Sequence, residues 1–233
     1  MNLNFLRPQT VLCVCKAIIP WAWGTALVLL GIGATTGLFY SPADYQQGDM
    51  VRIMYVHVPA SWWALGVYTL MAVSSVIGLV TRIPLFFLMT KAVAPIGAGF
   101  TTISLLTGSI WGKSTWGTWW VWDARLTSML ILFFLYIGYL NIASRINQEK
   151  DFATASILVI IGWINIPIIK WSVDWWYTLH QPASLMRFAK PAIHYSMLRP
   201  LLIMAAGFGF YALALGCLRL SNILRRCQLD RNH

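Results

Sequence analysis

The chain has 233 residues, of which 58% are hydrophobic and only 10% charged, with a formal net charge of +10. A soluble domain carries about 25% charged residues, so a water-soluble globular fold is excluded and the composition is that of a polytopic membrane protein. The Lys and Arg excess sits at the ends of apolar runs, where it marks topology, and no basic stripe or nucleic-acid fold signature accompanies it.

Six apolar runs reach the roughly 20 residues that a helix needs to cross a bilayer: 17–40, 58–80, 92–111, 126–144, 152–169 and 200–218. The expected fold class is all-α integral membrane, one six-span domain over 1–233, with a Trp-rich interfacial segment at 111–128 and a last outer loop at 170–199. The first run is read as a span, because it exceeds the ~7–15-residue core of a cleavable signal and no A-x-A site follows it. Arg52, Lys113, Arg125, Lys170, Arg187, Lys190 and Arg199 fall on one side, and the other ten of the 17 Lys and Arg fall with the termini. That bias places both termini in the cytoplasm. Cys13, Cys15, Cys217 and Cys227 all lie near the cytoplasmic ends, so no outer disulfide framework is expected. The chain has no C-x-x-C-H and is not itself a c-type cytochrome.

At the outer start of the second span stands His57, in Tyr55-Val56-His57-Val58-Pro59. If the helix already runs through it, Ala60, Ser61 and Ala64 continue its face, and their small size leaves room for a plate-like ligand. If Pro59 instead opens the helix, His57 precedes it near the positive helix end, where a neutral imidazole is favoured. Either placement suits metal ligation, and a histidine bonded to water or backbone at the interface stands beside both. The spans hold almost no polar groups at mid-depth. Asn165 is the exception, and Pro95 and Pro167 are possible kinks.

Between the third and fourth spans lies Trp116-Gly117-Thr118-Trp119-Trp120-Val121-Trp122-Asp123. Such density is not asked for by a core, since each buried indole N–H needs a partner. Read as an interfacial helix over 116–127, it places Trp116, Trp119, Trp120, Asp123 and Thr127 on one face; read as an irregular loop, it still clusters the rings. Asp123 has two roles open to it: a bond to a backbone N–H or nearby cation, or the orientation of a Trp N–H, a partner or a cation. Ten of the thirteen tryptophans (62, 63, 111, 116, 119, 120, 122, 171, 175 and 176) fall on the outer side. An aromatic belt would mark both faces alike, so the excess argues for an aromatic surface facing outward.

The last outer segment carries His180, in Thr178-Leu179-His180-Gln181-Pro182, and His194. His180 is preferred because Trp175, Trp176 and Tyr177 precede it, whereas His194 has only Tyr195 beside it. Two neutral imidazoles and flat aromatic walls are what haem requires, and Arg125, Arg187, Lys190, Arg52 and Lys113 are cations able to meet its propionates. A transmembrane b-type cytochrome would need histidines paired inside helices at two depths. Hydrolytic chemistry finds no metal spacing or nucleophile motif among the outer acids Asp44, Asp49, Asp123 and Asp174.

The run from Trp116 to Thr127 resembles the WWD domain of the haem-handling proteins of cytochrome c maturation, and the length and six spans resemble their small CcmC family. Ala43-Asp-Tyr-Gln-Gln-Gly48, Tyr55-Val-His-Val-Pro59, Trp111-Gly-Lys113 and Thr178-Leu-His-Gln181 carry the resemblance over nearly the whole chain. It implies His57 and His180 as axial ligands of non-covalently bound haem b. It also implies a haem platform of Trp116, Trp119, Trp120, Trp122, Asp123 and Arg125 that contacts the haem chaperone CcmE. The implied function is delivery of haem to CcmE, with CcmD and the ABC-type components CcmA and CcmB as further partners, in the bacterial inner membrane with the site facing the periplasm. The activity implied is haem transfer, akin to a haem lyase, rather than a conventional catalytic centre. A haem-export permease subunit of an ABC-type complex is the alternative.

Overall fold

The computed structural model describes residues 6–145, 149–176, 178, 180 and 193–229. Gln181, Arg187, Lys190 and His233 lie outside the described residues. Pro8 opens α1 (Pro8–Thr35), where its missing N–H and fixed φ cost nothing. A π-helical turn (Thr36–Tyr40) carries the same span to its end. A 3₁₀ turn (Asp49–Ile53) feeds α2 (Met54–Thr81), and α3 (Pro84–Trp116) again starts on a proline. α4 (Ala124–Ser144), α5 (Glu149–Gly162), α6 (Asn165–Trp175) and α7 (Tyr195–Leu229) complete the chain. Among the described residues there is no strand, only an isolated bridge between Asp44 and Gly48.

Among those residues, six stretches are long and apolar enough to cross a membrane, with α5 and α6 together forming the fifth. The protein is a multi-pass α-helical membrane protein. The helices run past the predicted ends: α3 continues through Pro95 to Trp116, and α7 begins at Tyr195 and continues to Leu229. Hydropathy marks only the stretch that prefers hydrocarbon, whereas a helix satisfies its own backbone and can extend beyond it.

The fifth span, expected as one helix over 152–169, is broken at Trp163 and Ile164 and runs on to Trp175. Pro167 has no N–H for an i−4 bond, and Ile166 N–H instead donates to the Trp163 carbonyl at 2.9 Å. Asn165, the polar group expected at mid-depth, is buried and donates to the Ser128 carbonyl of α4 at 2.8 Å. It is a helix–helix tie.

The core lies where α2, α3, α4 and α5 meet, around the fully buried Tyr68, Tyr136, Met71, Leu132 and Val159. Tyr68 and Tyr136 pack edge to face at 5.1 Å, and the Tyr136 hydroxyl donates to the Ala64 carbonyl at 2.7 Å. α1 packs along α7 and otherwise leaves large apolar side chains such as Trp21, Leu27 and Val28 exposed, as a lipid-facing helix does. In an alternating bundle, the start of α2, the end of α3, the start of α4, the end of α6 and the start of α7 fall at one end. His57, the Trp-rich segment and His180 share that end.

Candidate functional site

The entrance to α2 is pinned from below. Arg52 pairs with Asp49 at 3.0 Å and donates to the carbonyls of Leu38 and, at 3.3 Å, Ser41. The Tyr55 hydroxyl donates to the Ser41 Oγ at 2.6 Å. This fixes the first turn of α2, and His57 falls inside the helix with Pro59 one half-turn on. The imidazole faces α3, where its Nδ1 lies 3.0 Å from the Thr107 Oγ1. The single hydroxyl proton of Thr107 goes to the Ile103 carbonyl at 2.6 Å, so the Thr107 oxygen accepts from Nδ1–H. That assigns the tautomer and leaves Nε2 with the lone pair. Trp111 stands edge-on to the ring at 5.7 Å, and its Nε1 donates to the Gln47 Oε1 at 2.8 Å. Gly108, also on α3, closes on the ring as well: a Cβ there would sit 3.0 Å from the His57 Cε1, so the missing side chain lets the two helices approach closely at the imidazole.

The small residues that continue the His57 face do not hold a slot open. Ala60 and Ala64 are fully buried, and Ser61 donates to the His57 carbonyl at 2.8 Å while lying 2.6 Å from the Ser104 Oγ. Their size is consumed by close packing of α2 on α3. Trp62 and Trp63 also lie outside the site: they line grooves beside α7, and the Trp63 Nε1 donates to the Ala205 carbonyl at 2.7 Å.

Of the two readings of 116–127, the interfacial helix does not form and the irregular loop does. α3 ends at Trp116, and Gly117 takes a left-handed φ of 77° as its C-cap, a conformation that glycine adopts without steric cost. Lys113 Nζ donates to the Gly117 carbonyl at 2.9 Å. Residues 117–123 are irregular, and Asp123 begins α4 as N-cap, its Oδ1 accepting from the Leu126 N–H at 2.8 Å. A glycine C-cap followed by an aspartate N-cap outweighs the helical spacing of the tryptophans. The rings therefore point several ways: Trp119 and Trp122 are exposed, whereas Trp116 and Trp120 are half-buried. Trp120 and Trp122 meet edge to face at 5.5 Å.

Asp123 is the hinge between this segment and the last outer loop. Its Oδ2 accepts from the Thr178 hydroxyl at 2.8 Å and lies 2.9 Å from the His180 Nδ1. The Thr178 Oγ1 in turn accepts the His180 backbone N–H at 2.9 Å. Asp123 thus takes the first role left open to it, accepting a backbone N–H, and in addition holds His180, a partner the sequence did not suggest. Burial pushes its carboxyl upward, but the hydrogen bonds from Leu126, His180 and Thr178 outweigh this and hold it below the usual aspartate value. Burial lowers His180, opposed but not reversed by the bond to and charge of Asp123, with Arg125 adding to the lowering. The pair is a carboxylate and a neutral imidazole that donates through Nδ1, and its Nε2 carries the lone pair. The Trp116 ring stands against His180 at 4.8 Å.

His57, His180 and Arg125 are close enough to interact electrostatically. Arg125 NH2 donates to the Lys170 carbonyl at 3.4 Å, while, among the described residues, the Arg125 Nε and the Trp120 Nε1 are buried without a hydrogen-bond partner. Such atoms are costly unless a further group supplies acceptors. His194 is exposed at the head of α7, its Nδ1 2.8 Å from the Ser196 Oγ and its carbonyl accepting from Met197 and Leu198. Among the described residues, no cluster of three or more His, Cys, Asp or Glu stands ready for a bare metal ion. Two imidazoles suit a metal that brings its own equatorial ligands. Gln47, Trp111 and Thr178 stood in the quoted motifs without a role of their own, and sequence reasoning missed Thr107 altogether. Thr107 and Trp111 were findable, since i and i+4 share a helix face.

The family described as Heme exporter protein C, CcmC, matches residues 1–233. The chain is 50% identical over 205 residues to the Heme exporter protein C of Haemophilus influenzae, covering 88% of this chain and 83% of that protein. It is 45% identical over 227 residues to that of Bradyrhizobium diazoefficiens, covering 96% and 86%. It is also 48% identical over 210 residues to a cytochrome c biosynthesis ccmC-like mitochondrial protein of Marchantia polymorpha, covering 90% of each.

Proposed function

Because the chain belongs to the Heme exporter protein C family, we propose that it handles haem in cytochrome c maturation, binding haem b non-covalently between His57 and His180 and delivering it to CcmE. The observation that carries this reading is the matched state of the two histidines. Each gives its Nδ1 proton to a side-chain oxygen and keeps Nε2 for iron, the arrangement usual for metal-bound histidine. The Arg125 Nε and Trp120 Nε1, unpartnered among the described residues, fit propionate oxygens, and the exposed Trp119 and Trp122 offer apolar rings to a porphyrin or to the chaperone.

The site faces the periplasm and both termini face the cytoplasm, a reading supported by the ten-to-seven division of Lys and Arg. CcmD, CcmA and CcmB are the further partners in an inner-membrane complex. Passage of haem through this chain's own spans is the weaker reading, since Asn165 is already spent on the Ser128 carbonyl. The protein should purify with haem that pyridine extracts, and His57→Ala and His180→Ala should each change its Soret and α/β bands. Unchanged bands in both variants would remove the axial assignment. Haem stain on CcmE should disappear in both variants.

A further inference from the structure

The two histidines present the same nitrogen but are backed unequally. Resting on the haem reading above, we propose that they are unequal axial ligands: His180, backed by the carboxylate of Asp123, keeps the iron, and His57, backed by neutral groups of α3 such as the hydroxyl of Thr107, releases it first at handover.

A carboxylate that accepts the Nδ1 proton pushes electron density into the ring and makes Nε2 a stronger donor. Asp123 is held charged for that purpose by the Leu126 N–H and the Thr178 hydroxyl, at the positive end of α4. The Thr107 oxygen is a neutral acceptor, and neutral hydrogen bonds are roughly half as strong as charge-assisted ones. Placement acts in the same direction. His57 is locked between α2 and α3 by Thr107, Trp111 and Gly108, so it cannot follow an iron that moves outward. His180 lies outside any helix and is tied through side chains. In the step itself, the bond from Fe to the His57 Nε2 breaks and its electron pair returns to the imidazole. The ring stays neutral because the Nδ1 proton remains on it. The vacated position takes a lone-pair ligand from the acceptor, with no change of oxidation state. Thr107 is thereby a positioning residue that sets how readily His57 yields.

Carbon monoxide tests this on the full-length haem-loaded protein in the ferrous state, because it replaces the weaker axial ligand. The Fe–CO stretching band of the wild type should match that of His57→Ala, where His180 is the remaining ligand, and differ from that of His180→Ala. A wild-type band matching His180→Ala overturns the proposal. Thr107→Val should raise carbon monoxide affinity about fivefold, the worth of one neutral hydrogen bond, and Thr107→Ser should restore the wild-type value. Unchanged affinity in Thr107→Val, with an increase in Asp123→Asn, makes His180 the yielding ligand and also overturns it. Failure of the haem reading itself looks different: the purified protein takes no haem, or neither histidine variant alters its spectrum.

Discussion

The two halves of the site are made of opposite materials. The His57 half is continuous helix: a turn of α2 closed against a turn of α3, with the ring, its hydroxyl partner and its aromatic neighbour all held by regular backbone. The His180 half is made of interruptions: the glycine end of α3, an irregular Trp-rich stretch, the aspartate that restarts α4 and a loop residue 57 positions further on. Regular backbone gives the first half rigidity and neutral acceptors such as the Thr107 hydroxyl. The breaks free polar groups, so the second half gains a carboxylate with three donors. Precision and electrostatic strength are thus divided between the two sides.

Asp123→Asn should break the comparison most sharply. Asn is as good an N-cap as Asp, so α4 keeps its start, while His180 loses the charged acceptor. Haem affinity should fall about 10–100-fold, with little change in thermal stability. Asp123→Ala should lower affinity similarly and add about 1 kcal/mol of destabilisation from the lost cap, read as the difference in Tm between the two variants. On the helical side, Gly108→Ala forces a Cβ to within 3.0 Å of the His57 Cε1. Overpacking there should cost about 1–3 kcal/mol and shift the haem spectrum, whereas an unshifted spectrum would mean the ring is less tightly held than the geometry indicates.

Gly117→Ala probes the break. A left-handed φ costs an L-residue about 1–2 kcal/mol, and this should appear as reduced stability with the His57 environment intact. Acid separates the halves more gently. The folded His180 pKa lies below its ordinary value of 6.5, so the unfolded chain binds more protons as pH falls. Its stabilising contribution is complete above about 6.5 and is lost as pH falls toward the folded value. Asp123, also lowered, adds a loss only below its ordinary 3.8. His180→Gln should flatten the dependence just below pH 6.5 in haem-free protein, measured as Tm against pH. The smallest effect is expected from Gln47→Leu, which removes one neutral bond to Trp111 worth about 1 kcal/mol and should alter Trp fluorescence more than haem retention.

The sequence by itself determined the membrane class and the six spans, because apolar transfer energy adds up residue by residue along the chain. The preference for His180 over His194 rested on the aromatic residues that precede His180 in sequence. Tertiary structure decided the rest. The tryptophans at helical spacing do not share a face, because the caps at Gly117 and Asp123 outweigh periodicity. Ala60, Ser61 and Ala64 are small so that two helices can touch, and a residue's size does not say whether the space beside it is filled or open. The bond from His180 to Asp123 and the bond from His57 to Thr107, 50 residues away in sequence, join side chains that no local period relates. Hydrogen-bond partners are selected by which backbones the packed helices bring within 3 Å, and that is a property of the assembled bundle.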